Sequence, residues 1–201
     1  MKRFLDIFVS SLCLIGLSPL YLLMAILIRT RLGRPIIFTQ IRPGKNGEPF
    51  LIYKFRTMTN AFDHNGHLLL NEQRRTKLGD FLRSASLDEI PEFYNVLIGD
   101  MSLVGPRPLL MDYLPLFNEN QKRRLEVKPG ITGWAQVQGR NSITWEERFK
   151  LDVWYVENQS IFLDLKILIL TLSKVFKREG ISHEGDFSMP RFEGNQHTDI
   201  G

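Results

Sequence analysis

Residues 82–108 read LRSASLDEIPEFYNVLIGDMSLVGPRP and hold two adjacent carboxylates between two arginines. Asp88 and Glu89 form the pair, and Arg83 and Arg107 flank it. Adjacent carboxylates can divide a phosphoryl transfer, because one can attack phosphorus while its neighbour handles a proton or a metal ion. Arginine suits phosphate oxygens through paired hydrogen bonds. This stretch therefore predicts phosphoryl chemistry.

Two interpretations of the local structure around Asp88 are open. Ser86 and Glu89 match the S-x-x-E capping box that opens many helices. Pro91 weakens that interpretation, because proline lacks a backbone donor and biases the preceding residue away from helical angles. The alternative is a helix that begins at Pro91 and stops before Gly99, with both carboxylates at its entrance. Capping and catalysis do not exclude each other.

Composition sets outer limits on the fold. The 201 residues, 43% of them hydrophobic, predict one domain of ordinary size with appendages. The net charge of +4 favours anionic partners without distinguishing nucleic acid from membrane. Cys13 is the single cysteine, which excludes a disulfide framework within the chain and a zinc site built on cysteines. This cysteine usage fits a reducing, cytoplasmic environment.

An uncharged, apolar run over residues 7–28 predicts a membrane anchor, since it can cross a hydrocarbon core of about 30 Å. Ser18-Pro19 interrupts the run, and basic residues flank both of its ends. The positive-inside rule then pulls both ends to the cytoplasm. A helix broken at Pro19, with the Ser18 hydroxyl satisfying a freed carbonyl, can enter and leave by the same face. The sequence therefore favours a re-entrant hairpin with its bend at Ser18 and Pro19.

Two other interpretations of this run are weaker. A cleaved signal peptide has a shorter apolar core and an A-x-A-like cleavage site, and no such site follows the run. A buried core helix would be covered on all sides, which a domain of this size seldom manages.

Residues 35–55 predict a β-hairpin that carries basic residues. The β-prone runs PIIFTQ and PFLIYKF flank the turn-rich IRPGKNGE, in which Arg42 and Lys45 lie. Lys54 and Arg56 belong to KFRTM at the end of the second run, where cations can converge on a phosphate. Lys54 is the preferred candidate. A solvated basic hairpin near anionic lipid is the alternative.

The chain after the central stretch predicts a helix and then a glycine-rich loop. Apolar spacing over 109–125 indicates the helix, with a basic cluster at 122–124 near its end. KPGITGWAQVQGR, residues 128–140, can bring backbone amides close to a ligand but matches no nucleotide-binding fingerprint. Trp134 can stack on a base and Arg140 can contact a phosphate, while an interfacial tryptophan fits equally well.

Two further helices are predicted over 146–158 and 161–178. The second has an apolar face with charges on the rest, which is typical of a helix in a membrane interface, and core packing is the alternative. Asp164 stands out within the apolar IFLDLKILIL. Residues 179–201 are polar and bear glycine, so we expect a mobile tail.

Four ordered motifs resemble the bacterial sugar transferase family: KFRTM at 54–58, LRSASLDEIPEFYNVLIGDMSLVGPRP at 82–108, KPGITGWAQVQGR at 128–140 and YVENQSIFLDLKIL at 155–168. The resemblance covers the chain from Lys2 to about Arg178. It points to the small monotopic phosphoglycosyl transferases that use a polyprenol phosphate acceptor. By overall likeness, the chain most resembles those that begin bacterial N-linked glycosylation from UDP-N,N'-diacetylbacillosamine.

The resemblance implies a reaction. A sugar 1-phosphate passes from a UDP-sugar to undecaprenyl phosphate, giving undecaprenyl-diphosphate-sugar and UMP, with Mg2+ and a covalent enzyme intermediate. Asp88 matches the nucleophile and is the expected metal ligand, and Glu89 is its partner as a general base. The expected substrate-binding and phosphate-binding residues are Lys54, Arg56, Arg83, Arg107, Arg140 and Asp164.

The resemblance also implies a fold and a location. We expect a mostly helical α/β fold, with a re-entrant membrane anchor over 1–34 and a mobile polar tail over 179–201. Between them, 35–178 would form a compact cytoplasm-facing catalytic domain with a small antiparallel hairpin and interfacial amphipathic helices. The protein would be monotopic at the cytoplasmic face of the bacterial inner membrane. Expected partners are the UDP-sugar, undecaprenyl phosphate, membrane lipid and downstream glycosyltransferases, but no nucleic acid.

Two other functions fit the same residues. A non-catalytic membrane scaffold that binds anionic lipid needs nothing from Asp88 or Glu89. A phosphohydrolase would keep both carboxylates and use water in place of the lipid acceptor. Residues 59–77 lie between the shared motifs, and we hypothesise that they help to select the sugar.

Overall fold

The computed structural model of the protein describes residues 1–139, 143–177 and 190–194. Over these residues the chain is mostly helical, with two small two-stranded sheets. The expected class, a mostly helical α/β fold, is therefore confirmed.

The N-terminal run forms two helices, α1 (Lys2–Gly16) and α2 (Ser18–Arg31), bent by 61° at the break between them. Pro19 lies in the first turn of α2, and the Ser18 hydroxyl donates to the Ile15 carbonyl at 2.7 Å. The predicted bend at Ser18 and Pro19 is confirmed. No single helix in the described chain is both long and apolar enough to cross a bilayer. Taken together, the two helices of this bent pair have the length and composition of a membrane span. A re-entrant insertion stays a prediction.

The predicted hairpin is present as β1 (Ile37–Pro43) and β2 (Pro49–Phe55), which pair antiparallel. The turn between them holds the short 3-10 helix Lys45–Gly47, where Asn46 and Gly47 both have positive φ. Asparagine and glycine tolerate that region better than other residues, which explains the Asn-Gly turn. The register places Lys54 opposite Phe38, close to the open end of the hairpin.

The central stretch follows α3 (Asn71–Arg74) and α4 (Lys77–Ser84). A 3-10 helix, Leu87–Glu89, leads into α5 (Glu92–Ile98). Pro91 caps α5, and Gly99 ends it with a φ of 100°, as the proline-first and glycine-after pattern predicts. The capping-box interpretation is wrong, since Ser86 is left-handed and its side chain makes no capping hydrogen bond.

A second sheet joins two stretches that are distant in sequence. β3 (Ser102–Val104) pairs parallel with β4 (Gly130–Thr132). The backbones approach so closely that a Cβ on Gly130 would lie 2.1 Å from the Gly105 nitrogen. Gly130, in the predicted glycine-rich loop at 128–140, therefore lets the backbones of β3 and β4 pack closely.

The C-terminal half contains the remaining helices. The helix predicted over 109–125 is instead broken into a 3-10 helix Met111–Leu116, α6 (Glu119–Lys122) and a second 3-10 helix Arg123–Leu125. Pro115 removes a backbone donor, and Asn118 begins a new helix with a capping box. α7 (Trp134–Gln138) precedes α8 (Trp145–Asn158) and α9 (Ile161–Lys177), so the last two predicted helices are confirmed.

Three apolar clusters hold these elements together. One lies between β3, α5 and α9 around Met101 and Ile167, and a second joins α2 to the hairpin around Ile28 and Phe55. The third, the aromatic cluster, consists of Leu109 and four aromatic residues, Tyr113, Phe117, Phe149 and Phe192.

The predicted tail lies mostly outside the described residues. Its described part, 190–194, packs on the domain, because Phe192 is only 5% exposed within the aromatic cluster. The Trp145 indole donates to the Pro190 carbonyl at 2.9 Å, and the Phe192 amide donates to the Tyr113 hydroxyl at 3.2 Å. A large aromatic side chain explains this difference from the expected mobile tail.

Candidate active site

Asp88 and Glu89 lie on the 3-10 turn between α4 and α5, and two strands bring cations to this turn. Lys54 is near the end of β2, and Arg107 follows β3. Lys54 Nζ lies 2.8 Å from Glu89 Oε1, and Arg107 Nη2 donates to the same oxygen. Glu89 is thus bound by two cations from different elements of the fold.

Glu92, the first residue of α5, extends this cluster into the interior. It is 1% exposed, and its Oε1 lies 2.9 Å from Lys54 Nζ without hydrogen-bond geometry. Burial raises the pKa of Glu92 to about 7; Lys54 opposes the rise, and Glu89 adds to it. Glu92 was not expected in the site, because an acidic residue in the first turn of a helix is commonly on the surface. Its position four residues after Asp88, about one helical turn, was the one signal that the sequence offered.

The charges on Glu89 and its two cations stabilise one another. Burial by itself would raise the pKa of Glu89, but attraction and hydrogen bonds from Arg107 and Lys54 hold that pKa well below its usual range. Glu89 in turn raises the pKa of Arg107. Burial opposes the charge on Lys54, yet the neighbouring carboxylates leave its pKa raised. All three side chains are charged at neutral pH.

Asp88 differs from its neighbour. Burial, followed by repulsion from Glu89, raises the pKa of Asp88 to about 6, against attraction from Lys54, Arg107 and Arg83. Neither carboxylate oxygen accepts a hydrogen bond from any residue that the structure describes. At neutral pH Asp88 is therefore a mostly ionised carboxylate whose oxygens are available to a substrate.

Two further arginines border the cluster. Arg83 attracts Asp88 electrostatically, and its Nε donates to Thr57 Oγ1 at 2.9 Å. Arg42 on β1 donates to Gln40 Oε1 at 2.7 Å. Burial and then repulsion from Arg107 lower the pKa of Arg42 to about 10, so it stays protonated at neutral pH. The sequence analysis located Arg42 at the hairpin turn but did not assign it to the site.

Arg56 does not join this cluster, although it was expected to bind phosphate. It is buried, and its guanidinium donates to the backbone carbonyls of Leu32 and Arg34. These carbonyls follow α2, where the chain leaves the anchor. Arg56 follows Lys54 by two residues, but β2 ends at Phe55, so the alternation of the strand does not hold its side chain on the face of Lys54. The contacts assign Arg56 to the junction between anchor and domain.

Asp164 is also engaged elsewhere. It is 1% exposed on α9, where it contacts Lys2 Nζ at 2.6 Å and accepts from the Tyr155 hydroxyl at 2.6 Å. Lys2 also donates to the Val104 carbonyl at 3.0 Å. These contacts connect the start of α1 to β3 and α9, and they leave Asp164 no free surface for a phosphate ligand. The remaining expected ligand, Arg140, lies outside the described residues.

The residues around Asp88 fit a magnesium ion only in part. Within the described chain, no three His, Cys, Asp or Glu side chains are arranged to hold a metal. Magnesium commonly takes one or two carboxylates and completes its shell with water and phosphate oxygens. Asp88 supplies one such carboxylate with unbonded oxygens, so a diphosphate substrate is needed to complete the site.

A family model described as bacterial sugar transferase matches residues 1–178. This match includes the anchor helices, both sheets and every residue of the charged cluster. The chain belongs to the bacterial sugar transferase family. The resemblance of its four motifs is thereby confirmed at the family level.

Three relatives align with most of this chain, but the aligned region is nearly all of one relative and less than half of the other two. The protein named uncharacterized sugar transferase EpsL of Bacillus subtilis is 54% identical over 195 residues, which cover 97% of this chain and 96% of the relative. The UDP-glucose:undecaprenyl-phosphate glucose-1-phosphate transferase of Klebsiella pneumoniae is 44% identical over 87% of this chain and 40% of its own length. The undecaprenyl-phosphate galactose phosphotransferase of Salmonella typhimurium is 39% identical over 90% of this chain and 41% of its own length.

Proposed function

We propose that this family member transfers a sugar 1-phosphate from a UDP-sugar to undecaprenyl phosphate, giving undecaprenyl-diphosphate-sugar and UMP. The family and the reactions named for the Klebsiella and Salmonella relatives support this class of reaction. One observation within the chain carries the proposal. Two cations hold Glu89, whereas the adjacent Asp88 keeps its oxygens available beside the same cations.

The chemistry follows from this asymmetry in two displacements. An ionised Asp88 oxygen attacks the sugar-bearing phosphorus of the UDP-sugar, and the bond from that phosphorus to the bridging oxygen breaks. UMP leaves with the bridging oxygen and its electron pair, while the phosphosugar stays on Asp88. An oxygen of undecaprenyl phosphate then attacks the same phosphorus. The bond to Asp88 breaks, which regenerates the carboxylate and releases the lipid diphosphate sugar.

The cations stabilise the negative charge that these steps carry. A phosphoryl group in transfer spreads charge over its non-bridging oxygens, and fixed cations stabilise it without reorganisation. Lys54 and Arg107 are already oriented by Glu89, and Arg83 on α4 attracts Asp88 electrostatically. We assign these three cations to the oxygens of the sugar phosphate.

The depressed pKa of Glu89 argues against the general-base role that the resemblance implied. A carboxylate held by two cations is a weak base, and efficient general bases have a pKa near the working pH. An acceptor phosphate is already largely ionised at neutral pH and needs little help from a base. We therefore propose that Glu89 acts mainly by holding Lys54 and Arg107 in place.

The expected Mg2+ would be held by Asp88 together with the substrate diphosphate. Bound there, it would supply neutralisation of the diphosphate charge. Lys54, Arg83 and Arg107 would neutralise part of the same diphosphate charge. The dependence of the rate on Mg2+ is measured with EDTA-treated protein, with and without added Mg2+.

The anchor supports a place at the membrane, and we propose the cytoplasmic face. Exposed apolar side chains cover α1 and α2, among them Phe4, Phe8, Leu12 and Leu22. Both ends of the helix pair are bound to the same domain, through Lys2 at one end and through Arg56 at the other. A pair whose two ends meet one domain fits a re-entrant insertion, in which Asp88 faces the lipid acceptor from one side of the bilayer.

The donor sugar is the finest part of the proposal. The names of the relatives specify glucose and galactose, whereas the overall likeness of the sequence pointed to N,N'-diacetylbacillosamine or another N-acetylated sugar. We propose a UDP-sugar as the donor and a pathway role that precedes downstream glycosyltransferases. A panel of UDP-sugars that includes all three types decides between them.

The test is intact-protein mass spectrometry of the detergent-solubilised protein with Mg2+ and each UDP-sugar, without lipid acceptor. We expect a mass gain of one sugar phosphate in the wild type and none in Asp88→Asn. Asp112→Asn is the matched control, since Asp112 is an exposed aspartate paired with Arg191 on the surface. UMP release on adding polyprenol phosphate, with no mass gain from any donor, would contradict the covalent step and reduce Asp88 to a metal ligand.

The same assay separates the alternative functions. A lipid-binding scaffold would bind anionic vesicles equally well in wild type and Asp88→Asn, with no UMP from either. Without polyprenol phosphate, a phosphohydrolase would release sugar phosphate and many UMP molecules per protein, whereas the transferase would release no more than one UMP per protein as Asp88 is loaded. Product that depends on polyprenol phosphate supports the transferase alone.

A further inference from the structure

Arg124 contacts the active site through the backbone of Arg107. Its Nη2 donates to the Arg107 carbonyl at 2.8 Å. Arg124 is 2% exposed, although it belongs to a basic cluster that the sequence places near the end of a surface helix. The neighbouring Arg123 shows the ordinary alternative, because it forms an exposed ion pair with Glu157.

Asp152 on α8 orients the Arg124 guanidinium. Arg124 Nε and Nη2 both donate to Asp152 Oδ2, at 3.1 and 2.8 Å. The guanidinium carbon lies 5.7 Å from the ring centres of both Phe117 and Phe149. A planar guanidinium that is hydrogen-bonded along one edge and packed on aromatic rings has little freedom to rotate. Arg124 is therefore a rigid connection between α8 and the Arg107 carbonyl.

The backbone at Arg107 has few other supports. Pro106 and Pro108 flank Arg107, and neither has an N–H group with which to hold the segment. The Gly130 amide donates to the Pro106 carbonyl at 3.0 Å, which secures one side. On the other side, Arg42 Nη1 donates to the Pro108 carbonyl at 3.5 Å, which is long for a hydrogen bond, and Arg107 and Arg124 border a shallow cleft. The shorter bond from Arg124 is therefore the main support on this side.

We infer that Arg124, oriented by Asp152, is a positioning residue that aims the Arg107 guanidinium at Glu89. The catalytic consequence rests on the proposed function, whereas the contact between Arg107 and Glu89 is a property of the folded chain. Without Arg124 the Arg107 backbone relaxes toward the cleft, and the guanidinium spends less time on Glu89.

The first experiment compares Arg124→Gln with Arg107→Gln, the double variant, and Arg123→Gln as matched control. We expect Arg124→Gln to lose about tenfold to a hundredfold in the rate of covalent loading, as misplaced catalytic groups do. The double variant should lose little more than Arg107→Gln alone, because both substitutions disturb the same contact with Glu89. Arg123→Gln should match the wild type in rate.

A second experiment does not depend on activity. The coupling between Arg107 and Glu89 is measured by a double-mutant cycle in equilibrium unfolding, once in the wild-type chain and once in Arg124→Gln. We expect the coupling to fall toward zero when Arg124 is replaced. If Arg124→Gln does not fold, Arg124→Gln/Asp152→Asn removes both charges of the buried pair and takes its place.

The outcomes separate the two proposals. Unchanged coupling between Arg107 and Glu89, or independent effects of Arg124→Gln and Arg107→Gln, would overturn the positioning role. A wild-type protein that never loads a phosphosugar would overturn the proposed function, while the coupling cycle would still decide the role of Arg124.

Discussion

Replacing Glu92 by glutamine should stabilise the protein at alkaline pH and leave its stability unchanged near pH 4. Glu92 is 1% exposed, and burial raises its pKa from 4.5 to about 7 in the folded chain. Between these two values the folded protein holds a proton that the unfolded chain has lost. Stability therefore falls as pH rises through this window, and the loss is complete above about pH 7.

The magnitude follows from the size of the shift. One pKa unit corresponds to about 1.4 kcal/mol, so a rise from 4.5 to about 7 makes ionised Glu92 cost about 3 kcal/mol. The attraction of Lys54 for ionised Glu92 is already included in that pKa. Glutamine has nearly the shape of the neutral acid and cannot ionise. The variant should thus gain about 3 kcal/mol at pH 8, relative to its difference from the wild type at pH 4.5.

The assay is equilibrium urea unfolding in detergent micelles at several pH values from 4.5 to 8.5. In thermal unfolding at pH 8, the same gain corresponds to a rise of about 6–12 °C in Tm for a chain of this length. Glu119→Gln is the control, since the Glu119 side chain is 90% exposed and no such pH dependence is expected. A difference between Glu92→Gln and wild type that stays flat across this range would refute the reasoning, because it would mean that Glu92 is ionised at no cost.

Three other predictions concern the anchor contact, the backbone crossing and the nucleophile. Lys2→Met should lower the free energy of unfolding by about 3 kcal/mol, because it leaves the buried Asp164 carboxylate without its cation, and a loss below about 1 kcal/mol in urea unfolding would contradict this. Gly130→Ala should fail to fold or lose more than about 3 kcal/mol in the free energy of unfolding, since its Cβ would lie 2.1 Å from backbone. In Gly16→Ala, the new Cβ meets nothing within 4 Å, so this variant should gain up to about 1 kcal/mol. Thermal unfolding compares the two variants. Covalent loading should require ionised Asp88 and fall as the pH drops through about 6, which a pH series of the mass measurement checks; loading that stays constant down to pH 4.5 would exclude the raised pKa.

Local patterns predicted the local elements well. The Asn-Gly turn between β-prone runs produced the hairpin, and the proline and glycine around 91–99 produced α5 within one residue of its bounds. Apolar periodicity also found α8 and α9. Each of these signals depends on residues that are neighbours in the chain, so no knowledge of distant contacts was needed.

Distant contacts explain what the sequence did not reveal. β3 and β4 are three residues each and pair across a long separation, so neither carries a strand pattern of its own. Arg56 was predicted to bind phosphate as a cation of KFRTM, and Asp164 stood out as a charge in an apolar run. In sequence, a buried arginine that binds backbone carbonyls and a buried ion pair look the same as these. Glu92 and Arg124 looked like surface charges of helices, and only the fold shows that they are buried.

One helix connects the anchor to the charged cluster. At one end of α5, Arg3 of the anchor donates to the carbonyls of Val96 and Leu97; at the other end, Glu92 lies against Lys54. α5 has seven residues and is therefore about 10 Å long. It acts as a strut of fixed length, so the height of Asp88 above the anchor is a built-in dimension of the protein. Under the proposed function, a flexible linker would let Asp88 search for a lipid phosphate, whereas this strut holds Asp88 at one level and leaves the search to the lipid.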